Sequence, residues 1–259
     1  ILGQLPRDPD LTLPERHLGL VQASEHLALE AFLARVGGVL ARNADVAAIA
    51  AACLPVTAGT MPALLPPLGQ RIAVASDTAF AFAYPHILEG WRSQGAEVLP
   101  FSPLANAAPD PRADAIFLPG GYPELHAGTL AAAARFRSAM ETTQARIYGE
   151  CGGYMTLGEG LIDAQGTRHR MLGLLPLETS FEQRKRTLGY RRLTPGPGAP
   201  WTMPLNAHEF HYATILSEPE NTPRLFQAQD ADGTKLPDMG LSDGRVSGSF
   251  AHVIAPNQA

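Results

Sequence analysis

Residues Gly149-Glu150-Cys151-Gly152-Gly153-Tyr154-Met155 constrain this chain more than any other stretch. A short run, Arg146-Ile147-Tyr148, leads in, and a helix-compatible segment, Tyr154-Met155-Thr156-Leu157, leads out. Glycine on both sides of the cysteine permits a strained backbone and a close approach by a ligand. The pattern predicts a strand, a sharp turn with the sulfur at its apex, and a helix that starts at once. Free N–H groups at a helix start lower a thiol pKa and can stabilise an oxyanion. A buried, inert cysteine is the bland alternative for the same residue.

The elbow closes a series of alternating elements. Ile72-Ala73-Val74-Ala75 reads as a short apolar strand, Tyr84 to Gln94 as a helix with Ile87, Leu88 and Trp91 inward, and Glu97–Phe101 as the next strand. Ala115–Leu118 reads as a third strand, about Ala127 to Thr143 as a helix, and the run into Cys151 as a fourth strand. Strands alternating with helices predict βαβ units. The expected fold class is α/β: a central, mostly parallel sheet with helices on both faces. Beyond Leu161 the texture changes to short β-like runs: Met171–Leu177, Thr187–Leu193, Phe210–Leu216 and Arg245–Phe250. These read as a mixed or antiparallel extension of the same sheet.

Residues 1–55 read as the tail of another domain. Arg16-His17-Leu18-Gly19-Leu20-Val21 looks like a strand entering a loop. Ser24 is placed to cap a helix from about Glu25 to Arg42, and a second helix is expected around Ala44–Ala52. Prolines and glycines crowd residues 56–70, which read as a linker because proline removes backbone donors and disfavours helix before it. The main domain is expected over 71–259. The opening Ile1-Leu2-Gly3 carries neither an initiator Met nor a basic leader, as in a piece cut from a longer protein.

Composition narrows the function classes. The chain has 259 residues, 45% of them hydrophobic and 17% charged, and a net charge of −5. Lys185 and Lys235 are the only lysines and no basic tract occurs, which argues against nucleic acid. No apolar run approaches the about 20 residues that a membrane helix needs. Two cysteines, Cys53 and Cys151, without a framework of spaced pairs fit a reducing compartment, so a cytoplasmic location is expected.

In open α/β sheets ligands sit beyond the carboxyl ends of the strands. Pro119-Gly120-Gly121-Tyr122-Pro123-Glu124 and Gly149–Gly153 both lie at such ends. The N–H groups of Gly120, Gly121 and Gly152 could together form an oxyanion hole. A cysteine nucleophile also needs a base. His86 and His169 read as solvated surface, whereas His126, His208, His211 and His252 all remain candidates on residue physics alone. His208 and His211 around Glu209 have the wrong spacing for a metalloprotease helix, so no metal site is expected.

Six segments in order carry a resemblance: Asp77–Tyr84, Leu118–Glu124, Gly149–Met155, Leu188-Gly189-Tyr190-Arg191, His208–Tyr212 and Gly248–His252. Together they resemble the glutaminase domain of the corrin-pathway a,c-diamide synthases, a branch of the class I, triad-type glutamine amidotransferases. The resemblance covers about residues 70–255. The segment Leu2–Asp45 is similar to the end of that family's ATP-dependent synthetase domain. The resemblance implies a flavodoxin-like domain with Cys151 as nucleophile, His252 as base, and Gly121 and Gly152 at the oxyanion. Tyr122, Glu150, His208, Glu209 and His211 become candidate site walls. The implied activity is the glutaminase half of an enzyme that amidates the a and c carboxylates of cobyrinate or hydrogenobyrinate in cobalamin biosynthesis. Glutamine is the expected ligand here. ATP and Mg²⁺, with a corrin carboxylic acid, belong to the synthetase domain, and no cofactor is expected in this fragment. A homodimer is an assembly open to it. The wider class carries Glu two residues after the base; here Ile254 stands there, and the third triad member is unassigned. The alternatives are a Cys-dependent γ-glutamyl or peptide hydrolase on the same scaffold, or a catalytically silent regulatory domain.

Overall fold

The computed structural model describes residues 1–13, 15–16, 19–21, 23–55, 59, 63–220 and 222–257. The chain divides into two compact units, Ile1–Met61 and Pro62–Ala259. Parts of the sequence-predicted strand at Arg16–Val21 (His17, Leu18) and of the linker (56–58, 60–62) lie outside the described residues.

In the first unit, β1 (Glu15–Arg16) and β2 (Gly19–Leu20) pair antiparallel, and α1 (Leu29–Asn43) and α2 (Val46–Ala51) follow. The first helix starts later than the Ser24 cap predicts. Ala23–Glu25 instead forms a 3₁₀ turn, and the His26 ring accepts the Ala28 N–H at 3.2 Å, which holds the chain outside helical geometry until Leu29. Asp45 caps α2 by accepting from Ala48 N–H at 2.9 Å.

The second unit begins with β3 (Arg71–Ala75), α3 (Pro85–Ser93), β4 (Glu97–Phe101), β5 (Ala115–Leu118), α4 (Ala127–Ala132) and α5 (Ala134–Thr142). Then come β6 (Arg146–Glu150), α6 (Gly152–Leu157), β7 (Gly160–Ile162), β8 (Arg168–Arg170), β9 (Glu178–Ser180) and β10 (Thr187–Pro195). The last strands are β11 (Leu205–His211), β12 (Thr214–Ser217), β13 (Phe226–Gln229), β14 (Leu241–Asp243), β15 (Val246–Ser249) and β16 (Ala251–Pro256). The helix expected over 127–143 breaks at Ala133, because Asn106 Oδ1 accepts the N–H groups of Arg135 (2.8 Å) and Phe136 (3.1 Å) and starts a new helix there.

The central sheet has the order β14-β15-β6-β5-β3-β4. Its pairs are parallel except the edge pair β14–β15. Strands β5 and β15 are buried along their whole length, as strands covered on both faces must be.

Of the later β-runs, Arg245–Phe250 extends this sheet as the sequence suggested, supplying β15, but Thr187–Leu193 and Phe210–Leu216 do not. They belong to two further sheets, β13-β10-β11-β16 and β12-β9-β7-β8. The reason is visible in their burial. Along β11 buried and half-exposed residues alternate, the habit of an antiparallel strand packed on one face, and its neighbours β10 and β16 satisfy its backbone on both sides. Met171–Leu177 buries Met171, Leu172, Leu175 and Leu177 but forms no strand; its N–H groups at Leu172, Leu174 and Leu175 instead satisfy the Thr156 and Leu157 carbonyls at the end of α6.

One core joins the central sheet to the sheet β13-β10-β11-β16. Ile72, Val74, Trp91, Phe117 and Tyr148 pack with Leu193, Trp201, Leu205, Phe226 and Val253. Phe117 stacks on Tyr148 at 6.0 Å, and Trp201 meets Tyr148 edge-on at 5.2 Å while donating to the Pro66 carbonyl at 2.8 Å. The chain crosses from one sheet to the other at Phe250, between β15 and β16. That crossing carries His252 to the end of the strand that delivers Cys151.

Candidate active site

Strand β6 ends at Glu150, and Cys151 adopts φ 46°, ψ −102° before α6 begins at Gly152. A positive φ at a non-glycine residue is a strained state, costing on the order of 1–3 kcal/mol, that persists only where surrounding bonds fix it. Those bonds are present. Cys151 N–H donates to the Ser249 carbonyl at 2.8 Å, and its own carbonyl accepts from Met155 N–H at 3.0 Å. The turn also presses on the loop after β5. A Cβ on Gly152 would lie 2.9 Å from both the Gly121 nitrogen and Pro123 Cδ, so glycine is required for this approach.

The Cys151 side chain is 4% exposed, and its sulfur lies 3.7 Å from the Phe210 carbonyl oxygen. Burial pushes the thiol well up. The carboxyls of Glu124, Glu150 and Glu209 add to this, against the N–H of Gly152, which favours the thiolate. At rest the sulfur therefore holds its proton.

His252 is 2% exposed, and β-pairing sets it directly opposite His208. The two imidazoles stack at 4.7 Å with planes 1° apart. Phe82 and Tyr84 approach the His252 ring at 6.5 and 6.4 Å. A Cβ on Gly120 would overlap Cε1 of this ring, so imidazole and loop are in close contact. Burial, reinforced by His208 and His211, pushes His252 down to about 3. Among the described residues nothing pairs with its Nδ1. Ile254, at the acid's position in the wider class, offers only a carbonyl, which His86 Nε2 engages at 2.9 Å. The ring is thus oriented by stacking. The Tyr84 hydroxyl hydrogen-bonds His208 Nε2 and fixes the outer member of the stack.

Glu150 ties the thiol's strand to the histidine's. Its Oε1 accepts the Val253 N–H at 3.1 Å, and burial pushes its carboxyl up to about 8.

Alternation along β11 sends the other predicted residues to opposite faces. His208 and Phe210 line a cavity of about 390 Å³ with Phe82, Tyr84 and His252. Glu209 and His211 line another of about 310 Å³ with Arg191, Tyr154 and Phe250. Glu209 accepts from Arg191 Nε and pairs with His211 Nε2, both at 2.8 Å. Burial opposes its charge, but these partners outweigh that and hold the carboxyl below its usual range. His211 also stacks on Phe250 at 3.9 Å. His126 is turned to Thr78, at 3.4 Å from its hydroxyl. Tyr122 N–H donates to the Ala79 carbonyl at 3.0 Å, and its ring meets Phe82 edge-on at 5.0 Å. Among the described residues no three His, Cys, Asp or Glu side chains are grouped so as to hold a metal ion.

Sequence reading passed over Glu124 as a functional group. It lies in the 3₁₀ turn Pro123–Leu125 and is 7% exposed. Among the described residues neither carboxylate oxygen has a partner on another residue. Its position at the end of the glycine loop was the available signal; its burial was not visible.

Residues 71–259 match the model of the CobB/CobQ-like glutamine amidotransferase domain. The chain belongs to that family. It is 59% identical over 260 residues to a hydrogenobyrinate a,c-diamide synthase of Brucella abortus biovar 1 (strain 9-941), covering 98% of this chain and 59% of that protein. The enzymes of the same name from Rhizobium meliloti (strain 1021) and Rhodobacter capsulatus are 57% and 50% identical, each over 98% of this chain and 60% and 59% of their own length. The chain therefore spans about three-fifths of these relatives. A solved glutamine amidotransferase from Thermotoga maritima superposes on 70% of this chain and 75% of its own, at 14% identity and a TM-score of 0.47.

Proposed function

We propose that this chain is the glutaminase half of a glutamine- and ATP-dependent amidotransferase acting on the a and c carboxylates of a corrin acid. The observation that carries the chemistry is one juxtaposition: the Cys151 turn and the His252 ring both abut the Gly120-Gly121 loop. The relatives' name favours hydrogenobyrinate over cobyrinate as acceptor. A location in the cytoplasm suits that role, and no helix among the described residues is long and apolar enough to cross a membrane.

In this reading, glutamine lies with its side-chain amide over Cys151. Both reacting groups are uncharged at rest, so the proton leaves the thiol as the sulfur attacks. His252 accepts that proton while the Sγ–C bond forms, and the carbonyl oxygen turns towards the N–H groups of Gly121 and Gly152. The imidazolium returns the proton to the nitrogen as the C–N bond breaks, and ammonia leaves. Water, deprotonated by the same ring, hydrolyses the glutamyl thioester to glutamate. His208, held by Tyr84, replaces an orienting carboxylate by keeping the His252 plane fixed. Glu150 holds the backbone beside it, and Tyr122, Glu209 and His211 complete the walls.

Residues 1–55 we assign to the end of a synthetase domain, joined by residues 56–70 to the domain at 71–259. No glycine-rich phosphate loop ending in Gly-Lys occurs in the chain, so ATP and Mg²⁺ enter no step described for it.

Replacing the thiol by a hydroxyl tests the proposal. Cys151→Ser should keep the melting profile, lower glutamine hydrolysis by at least about 1000-fold, and abolish labelling by a glutamine-analogue alkylator. Wild-type-like glutaminase activity in the variant, or a wild-type protein that cleaves γ-glutamyl peptides but not glutamine, would overturn it.

A further inference from the structure

Glu124 is a buried carboxylate with no explanation in the fold. An acid in this condition is costly, because burial disfavours its charge and, among the described residues, no donor on another residue offsets that cost. Burial pushes it up to about 7, opposed by its own backbone N–H and, more weakly, by the exposed Arg184. The other buried carboxylates of this unit have partners. Glu209 is held by Arg191 and His211, and Glu150 by the Val253 N–H. The position of Glu124 is also specific. Its neighbour Pro123 packs against Gly152, the residue after the thiol. Of the carboxyls that act on the Cys151 thiol, that of Glu124 acts most strongly.

A site of this kind is completed by a cation that arrives with the ligand. Glutamine carries one cation, its α-ammonium, four bonds from the amide carbon that the sulfur attacks. A group that holds the ammonium must therefore sit close to the thiol but apart from the base, and Glu124 meets both conditions. His252 borders Gly120, whereas Glu124 sits at the far end of the same loop, beyond Gly121 and Pro123.

We propose that Glu124 binds the α-ammonium of glutamine and so selects the free amino acid over amides that lack this charge. The proposal rests on the glutaminase reading above. It assigns a specificity role and leaves the acid–base steps to His252.

The test compares L-glutamine with glutaramate, the same amide without the α-amino group, on the wild-type protein, Glu124→Gln and Glu124→Asp. Glu124→Gln is nearly isosteric and removes the charge. It should raise the KM for glutamine by about 10- to 100-fold, the range for losing a hydrogen bond to a charged group, and change kcat by less than about threefold. Its kcat/KM for glutaramate should stay at the wild-type value. Glu124→Asp keeps the charge and should fall between the two on glutamine. Binding is read separately as protection of Cys151 from iodoacetamide. Glutamine should protect the wild type at about 10- to 100-fold lower concentration than Glu124→Gln, and glutaramate should protect both equally. Equal losses on both amides, or an unchanged glutamine KM and protection, would overturn the assignment. Protection by glutamine without hydrolysis would sustain Glu124 as a binding group while sinking the glutaminase reading, so the two failures are distinguishable.

Discussion

Around Cys151 the chain is fixed by backbone bonds and by the absence of side-chain atoms, whereas around His252 it is fixed by rings. The proposed nucleophile stands on a parallel sheet whose next helix leaves no room for a methyl group at Gly152 or Gly153. The proposed base stands on an antiparallel sheet, stacked on His208, with a cavity of about 390 Å³ alongside. The first region specifies position by shape and tolerates no addition. The second specifies orientation by packing and retains space to adjust. A thiol must meet one carbon atom, whereas an imidazole must serve a sulfur, an amine and then a water.

The largest effect that this contrast predicts is on the shape-fixed side. A Cβ on Gly153 would overlap the Leu118 carbonyl oxygen, so Gly153→Ala has to separate α6 from β5. Overpacking against backbone should cost about 3 kcal/mol, or roughly 6–12 °C in Tm, even though alanine favours helix. A calorimetric Tm within 2 °C of wild type would show that the elbow is looser than described.

Next comes the ring-fixed side. Gly120→Ala places a methyl group on the His252 ring, which can yield towards the cavity. Stability should therefore hardly change, while glutamine hydrolysis falls about 100-fold, the scale of a misplacement near 1 Å. A variant that keeps half its activity would show that the ring does not need its contact with Gly120.

The smallest effect concerns Glu150, which joins the two regions. Its folded pKa of about 8 lies above the ordinary value of 4.5, so folding favours its protonated form. That contribution is complete below about pH 4.5 and is lost as pH rises through about 8, at no more than about 1.4 kcal/mol per pH unit. Glu124 contributes with the same sign up to about 7, and His252 with the opposite sign below its ordinary 6.5. Glu150→Gln keeps an acceptor for Val253 N–H and removes the charge. Its Tm should fall less than that of wild type between pH 5 and 9. Parallel Tm–pH curves for the two proteins would rule out this titration.

The parallel half of the fold was legible because its signals are local. Short apolar strands, helix periodicity and glycines around Cys151 each lie within a few residues of what they specify. The antiparallel half was not, because alternation reveals which face of a strand is buried but not which strand it pairs with. Thr187 lies opposite His211, and Leu205 opposite Pro256, across long stretches of chain. The same limit governed the site. Residue physics left four histidines open as base; the register that sets His208 against His252, and the contact of His252 with Gly120, arise from long-range packing that no local motif carries. Glu124 stood in the glycine-loop motif, but that its carboxylate has no partner on another of the described residues is a property of packing alone.

The crossing at Phe250 has a mechanical consequence. Ser249 is pinned to the Cys151 N–H on one side, and Val253 to Glu150 on the other, with His252 between the pins. The spacing of thiol and imidazole is therefore gauged by a five-residue bracket rather than by the docking of two sheets. Because neither pin involves β10 or β13, loops between the outer strands are expected to tolerate lengthening without recalibrating that bracket. What would spoil the gauge is a single residue inserted between Ser249 and Val253.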